Sequence, residues 1–312
     1  MNINSLVIGS GGVKIFLLLG AIDYLFEKNI LNNVKYLAGS SSGSIICLLL
    51  SIGYTPKEIC AYMCSNDVIS YLHNINPILL IKEFGLIDLN QMKTYLDEMC
   101  MKKIGYIPTF NDLYNNFDKF FICSALNLNG KDKHESFKYF SHLTDGDMEV
   151  TKAVCLSSSI PIVFTNSIYN NTYYVDGGIF DRAPVDKLIE LTKSSPNNLI
   201  CVDFDNTEFN VSPINNFLDY VLKISNIPFI MQSSIISNKD FYLINLKTDL
   251  NIIEFDLDTK KKIKLFEEGK KQCKICFYLL KNKSNQSTGK VHDTETENIK
   301  FDQFGNEKHK ND

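Results

Sequence analysis

Residues 34–50 read "VKYLAGSSSGSIICLLL", and the reading of this stretch decides the fold. Val34–Ala38 has the apolar, β-prone character of a short strand. Gly39 to Gly43 supplies a tight turn, and the run from Ile45 onward is apolar on all sides, as a buried helix is. The same order of strand, turn and helix stands once upstream. Ser5–Ile8 is apolar, "GSGGVK" follows at 9–14, and Leu18, Ile22, Leu25 and Phe26 then recur at helical spacing. Thr55-Pro56-Lys57-Glu58 offers an N-cap, a proline in the first turn and a carboxylate three residues after the cap, which predicts a third helix through Cys64. Successive strand–turn–helix units place the chain in the α/β class.

Farther along, helical segments are expected between about residues 66 and 118, among them Asn90–Met101 with Met92, Tyr95, Leu96 and Met99 on one face. Strands are expected at Phe120–Ala125, Phe137–Phe140, Tyr173–Val175 and Leu199–Phe204, extending the sheet, with a last helix over Lys260–Leu280. Phe217–Ile236 mixes apolar and polar residues around Pro228 and gives no clear pattern. From Lys281 the aliphatic content collapses, so a domain over 1–280 and a polar, disordered tail over 281–312 are expected.

Composition narrows the function. The 312 residues are 45% hydrophobic and carry a formal net charge of −4, which argues against nucleic acid as a partner. Nine cysteines are scattered without the spacing of a disulfide framework, and the first residues lack a basic-then-apolar leader, which together imply a reducing, cytoplasmic setting. The longest apolar runs, Ile15–Leu19 and Ile45–Leu50, are far short of a bilayer span, so membrane contact is expected to be peripheral.

Two glycine-rich turns carry the chemistry. A dinucleotide fingerprint fails at its last position, where Lys14 replaces glycine, and no phosphate-binding P-loop is present, so a nucleotide-binding module is the weakest reading. Gly39-Ser40-Ser41-Ser42-Gly43 matches G-x-S-x-G in the strand–turn–helix context that exposes a nucleophilic Ser41. The bland alternative is a turn that caps a buried helix. A serine nucleophile needs a base and an oxyanion hole. None of the histidines, His73, His134, His142, His292 and His309, lies in a strand-end loop after a plausible acid, which favours a Ser–Asp dyad. The best acid is in "YYVDGGIFDRAPV" at 173–185, where Asp176 follows a strand and precedes Gly177 and Gly178; burial is expected to raise its pKa. The turns of adjacent parallel strands share one sheet edge, so residues 10–13 are expected beside Ser41, with the Gly11 and Gly12 amides aimed at a developing oxyanion. Lys14, a cation in a helix's first turn, suits an anionic neighbour or stays solvated.

With these residues assembled, the chain resembles the patatin-like phospholipases. Ser10-Gly11-Gly12-Val13-Lys14 stands for that family's G-G-G-x-[RK]-G loop, Gly39–Gly43 for its nucleophile turn and Asp176-Gly177-Gly178 for its D-G-[GA] motif. "AVCLSSSIPIVF" at 153–164 resembles the A-x-x-A-S-x-x-x-P-x-x-F segment that precedes the acid. The resemblance implies a three-layer α/β/α domain around a largely parallel sheet, and hydrolysis of acyl esters in membrane phospholipids or related lipids. It further implies Ser41 as nucleophile, Asp176 as base, an oxyanion hole at Gly11 and Gly12, and no metal requirement. Three positions depart from the pattern: Ser10 and Ile15 replace glycines, and Arg182-Ala183 stands where Asn-x is usual. A β-branched Ile15 is expected to stiffen the turn, and a non-catalytic lipid-binding protein on the same scaffold is the alternative function. Other features read as structural: Cys273 and Cys276 as helix packing over a zinc half-site, Asp203 and Asp205 as a solvated turn over a cation site, and "INPILLI" at 75–81 and "NIPFIMQ" at 226–232 as buried core by default, with lipid contact the alternative.

Overall fold

The computed structural model describes residues 2–66, 74–205, 213–214, 220, 223–224, 227, 231, 241–250 and 257–287. Its strands are β1 (Ser5–Ile8), β2 (Tyr36–Ser40), β3 (Gly85–Ile87), β4 (Phe120–Asn127), β5 (Phe137–Phe140), β6 (Ile162–Phe164), β7 (Ser167–Tyr169), β8 (Thr172–Asp176), β9 (Leu199–Phe204) and β10 (Tyr242–Leu246). The helices are α1 (Ile15–Glu27), α2 (Ser42–Ser51), α3 (Pro56–Ser65), α4 (Pro77–Glu83), α5 (Asn90–Ile104), α6 (Phe110–Phe117), α7 (Lys133–Ser136), α8 (His142–Asp145), α9 (Val150–Ser157) and α10 (Val185–Thr192), followed by a long C-terminal helix, Thr259–Ser287. The predicted cap of α3 is a complete capping box between Thr55 and Glu58. The segment 226–232 lies largely outside the described residues, as does the expected tail beyond 287.

Strands β10, β9, β1, β2 and β4 lie side by side and parallel. Alternate side chains of these strands feed two separate cores. Leu6, Ile8, Leu37, Phe121, Ile200 and Val202 face the larger one, built with α1, α2, α9 and the C-terminal helix. Val7, Ala38, Phe120, Ile122, Leu199 and Cys201 face the smaller one, closed by Val185 and Leu188 of α10. The period-two alternation of a sheet buried on both faces is therefore what gives the three-layer α/β architecture.

The sheet changes character at β4. Residues Tyr36 to Ser40 of β2 pair in parallel with Phe120 to Ser124, and antiparallel β8 pairs with Ala125 to Asn127. β5 pairs with Cys123 to Leu126. Cys123 and Ser124 are thus shared by β2 and β5, and Ala125 and Leu126 by β8 and β5. With β5 occupying one edge, β2 and β8 must share the other, end to end. Their C-termini run head-on toward each other at Ser124 and Ala125.

Candidate active site

Ser41 immediately follows β2 and caps α2, with φ 53° and ψ −127°. A positive φ is uncommon for a residue with a Cβ and costs on the order of 1 kcal/mol, so the surroundings must hold it. They do so from three sides. The Ser41 N–H donates to Ser157 Oγ at 2.9 Å, and the Ser41 carbonyl accepts from Ser44 Oγ at 2.6 Å. A Cβ on Gly39 would come within 2.6 Å of Gly43 backbone, and one on Gly43 within 2.1 Å of the Ile8 carbonyl oxygen. The two glycines therefore let the turn fold back on itself and let α2 begin directly against the end of β1.

That contact brings the 9–14 loop beside the Ser41 turn, as expected. Gly12 opens a short 3₁₀ turn over Gly12–Lys14 that leads into α1, and its φ is 54°. Among the described residues, the Gly11 and Gly12 N–H groups donate to no protein acceptor. Unused amides at the entrance to a helix are positive ends available to an anion. Ile15 has φ −50° and ψ −33°, right-handed helical values, so its β-branched side chain does not strain the turn. Lys14 is not solvated: it is buried, with its ammonium 5.2 Å over the Phe204 ring. Burial, helped by the Arg182 charge and opposed by Asp203, lowers its pKa to about 8.

Asp176 ends β8 and is completely buried. Its N–H donates to the Ser159 carbonyl at 2.9 Å, and its Oδ1 accepts from the Gly178 N–H at 2.7 Å. Oδ2 has no hydrogen bond of full geometry among the described residues, although the Ser41 hydroxyl is near enough to favour the ionised carboxyl. Desolvation dominates, and the pKa rises from 3.8 to about 7 against the opposing pull of Ser41 and the Gly178 amide. Cys123, in the adjacent strand, is also buried, and its thiol is pushed up to about 12, which makes it inert as a nucleophile.

The Ser157-Ser158-Ser159 tripeptide at the end of α9 thus touches both partners, through the Ser157 side chain and the Ser159 carbonyl. Sequence reasoning matched this segment to a motif without finding the contact. It also missed Asp203, which is no solvated turn: it is buried and pairs with the buried Arg182 at 2.6 Å, while Asp205 is 3.2 Å from Lys247. The run 75–81 is not core either. Ile75, Ile78 and Ile81 of the α4 region are exposed, Ile81 by 83%, because α4 buries none of its own residues. Cys273 is buried and Cys276 partly so, in the C-terminal helix. Among the described histidines, His142 stacks on Tyr114 at 4.0 Å, and His134 is exposed on α7. No single described helix is long and apolar enough to cross a membrane.

Comparison with known proteins shows which family and fold the chain shares. A family model described as Patatin-like phospholipase matches residues 6–189. Probable lipid hydrolase 463L of Invertebrate iridescent virus 6 is 32% identical over 286 residues, covering 87% of this chain and 88% of its own. Uncharacterized protein R571 of Acanthamoeba polyphaga mimivirus is 29% identical over 286 residues, with 87% and 93% covered. VipD from Legionella pneumophila matches with a TM-score of 0.50 at 14% identity, over 89% of this chain and 67% of that one. A chain of the heterodimeric ExoU-SpcU complex from the type III secretion system of Pseudomonas aeruginosa matches with a TM-score of 0.54 at 17% identity, over 89% and 52%. The present chain spans about half the length of that last protein, and the likeness to both solved structures is one of fold.

Proposed function

The chain belongs to the patatin-like phospholipase family, and we propose that it is a lipid acyl hydrolase that cleaves fatty-acyl esters of glycerophospholipids through a Ser41–Asp176 dyad. Asp176 takes the hydroxyl proton as Ser41 Oγ attacks the acyl carbonyl, and the Gly11 and Gly12 amides receive the negative charge that develops on the carbonyl oxygen. The tetrahedral intermediate collapses, and the lysolipid leaves with the proton held by Asp176. A water molecule, deprotonated by Asp176, then attacks the acyl–Ser41 ester; as the acyl–Oγ bond breaks, Asp176 returns that proton to Ser41 Oγ and the fatty acid is released.

The observation that supports this reading most is the carboxyl itself. An ordinary aspartate is too weak a base for a serine hydroxyl, whereas one with a pKa of about 7 is matched to accepting and returning a proton near neutral pH. The conformations of Ile15 and Gly12 favour the enzyme over a non-catalytic lipid binder, because the loop keeps its turn despite the replaced glycine. The exposed apolar side chains Ile78, Ile81 and Phe84 support peripheral contact with a lipid surface.

The test is labelling with a fluorophosphonate probe, together with fatty-acid release from mixed phospholipid vesicles. Wild-type protein is expected to label and to release fatty acid, while Ser41→Ala does neither and Asp176→Asn loses at least about 1,000-fold in turnover. Absence of Ser41-dependent labelling and release in the wild type overturns the proposal.

A further inference from the structure

We propose that Arg182 is a positioning residue that holds the Gly11–Gly12 amides in register with the Ser41–Asp176 pair; this rests on the hydrolase reading above. The loop has an anchoring problem. If the Gly11 and Gly12 N–H groups are kept for an oxyanion, they are not available to tie the loop down, and among the described residues its own backbone supplies the short-range bonds from Lys14 N–H to the Gly11 carbonyl and from Ile15 N–H to the Gly12 carbonyl, which tie the loop to itself and not to the sheet. The remaining ties come from outside. Ser10 N–H donates to the Arg182 carbonyl at 2.9 Å, and Gly9 N–H to the Val202 carbonyl at 2.9 Å.

The floor beneath the loop is the end of β9. A Cβ on Gly9 would lie 2.1 Å from Asp203 Oδ1, and one on Gly11 would lie 2.5 Å from the Phe204 ring, so the loop backbone rests directly on these two side chains. Arg182 Nη2 donates to Asp203 Oδ1 at 2.6 Å and to the Phe204 carbonyl at 3.3 Å. Arg182 therefore fixes the loop with its main chain and the floor with its side chain. The same segment is bound to the acid: Asp181 N–H donates to the Gly177 carbonyl at 3.0 Å, in the turn that begins at Asp176. One short stretch, 176–182, connects the base to the oxyanion amides. The guanidinium is suited to this because its planar fork serves two acceptors in fixed directions, and Asp203 balances its charge where no water reaches.

The experiment compares Arg182→Lys and Asp203→Asn with wild type on a soluble p-nitrophenyl ester, with every rate divided by the number of Ser41 sites titrated by fluorophosphonate. Titration counts only folded, competent molecules, so loss of fold lowers the site count and not the rate per site. Positioning predicts that kcat per titrated site falls about 10- to 100-fold in both variants with KM within about twofold, since a lysine ammonium lacks the second directed donor. The rate of Ser41 phosphonylation is expected to fall in parallel, because the phosphonyl oxygen uses the same amides. Wild-type kcat per titrated site in both variants overturns the inference while leaving the hydrolase reading intact. Absence of Ser41-dependent turnover in the wild type overturns both.

Discussion

Ser40 and Asp176 pair with consecutive residues of one strand, Ser124 and Ala125, from the same edge. The ends of β2 and β8 are accordingly one residue step apart along β4, about 3.3 Å, and Ser41, the residue after Ser40, stands beside that junction. Neither side chain depends on a long loop for its placement. Ser41 directly follows the end of β2, and Asp176 is the last residue of β8.

The pH dependence follows from the carboxyl. In the proposed mechanism Asp176 accepts a proton only when ionised, and burial raises its pKa to about 7. kcat/KM is expected to rise about tenfold per pH unit below 7 and to level off above it. A pH–rate profile on a soluble ester checks this, and an inflection near 4 would contradict it.

Stability is expected to move the opposite way. The folded pKa of Asp176 lies above its unfolded value, so the protonated carboxyl stabilises the fold fully below about pH 4, and that contribution is lost as pH rises through about 7. Asp176→Asn is expected to be more stable than wild type by about 4 kcal/mol at pH 8 and by less than half of that at pH 5. Urea unfolding at the two pH values measures the difference.

Ser157→Ala removes the acceptor of the Ser41 amide in its strained turn. The buried N–H is left unpaired at a cost of about 1–3 kcal/mol. Turnover per titrated site is expected to fall at least about tenfold as the turn relaxes, and a wild-type rate would show that Gly39 and Gly43 hold the turn unaided.

Gly43→Ala places a methyl group against the Ile8 carbonyl, where backbone cannot yield as a side chain does. A destabilisation of about 3 kcal/mol or more is expected by denaturant unfolding. Fluorophosphonate labelling should be lost with it.

Ile81→Glu alters a side chain that touches little. Thermal stability and soluble-ester hydrolysis are expected to stay at wild-type levels, while fatty-acid release from vesicles falls severalfold. An unchanged vesicle rate removes α4 from the lipid-contacting surface.

Much of the parallel half of the fold was legible in the sequence, because β1, α1, β2, α2 and α3 are neighbours in the chain and their turn residues, caps and periodicities are local signals. The expected strands at 120–125 and 173–175 formed with slightly longer limits, β4 and β8. Their end-to-end sharing of one edge was not legible, since it depends on registers between distant segments. The contacts of Ser157, Arg182 and Asp203 were hidden for the same reason: each has its partner far away in sequence. The run 75–81 misled because apolar character reports a preference for leaving water without saying what it leaves water for.

The head-on meeting of β2 and β8 also sets when the proposed site is complete. A growing chain completes the β1–α2 units first, strained Ser41 turn included, while the strand that brings the carboxyl is still to be synthesised. On the proposed mechanism, ester cleavage begins only after the β7–β8 hairpin docks on β4. The proposed dyad is thus assembled across the meeting of two strands and not within either one.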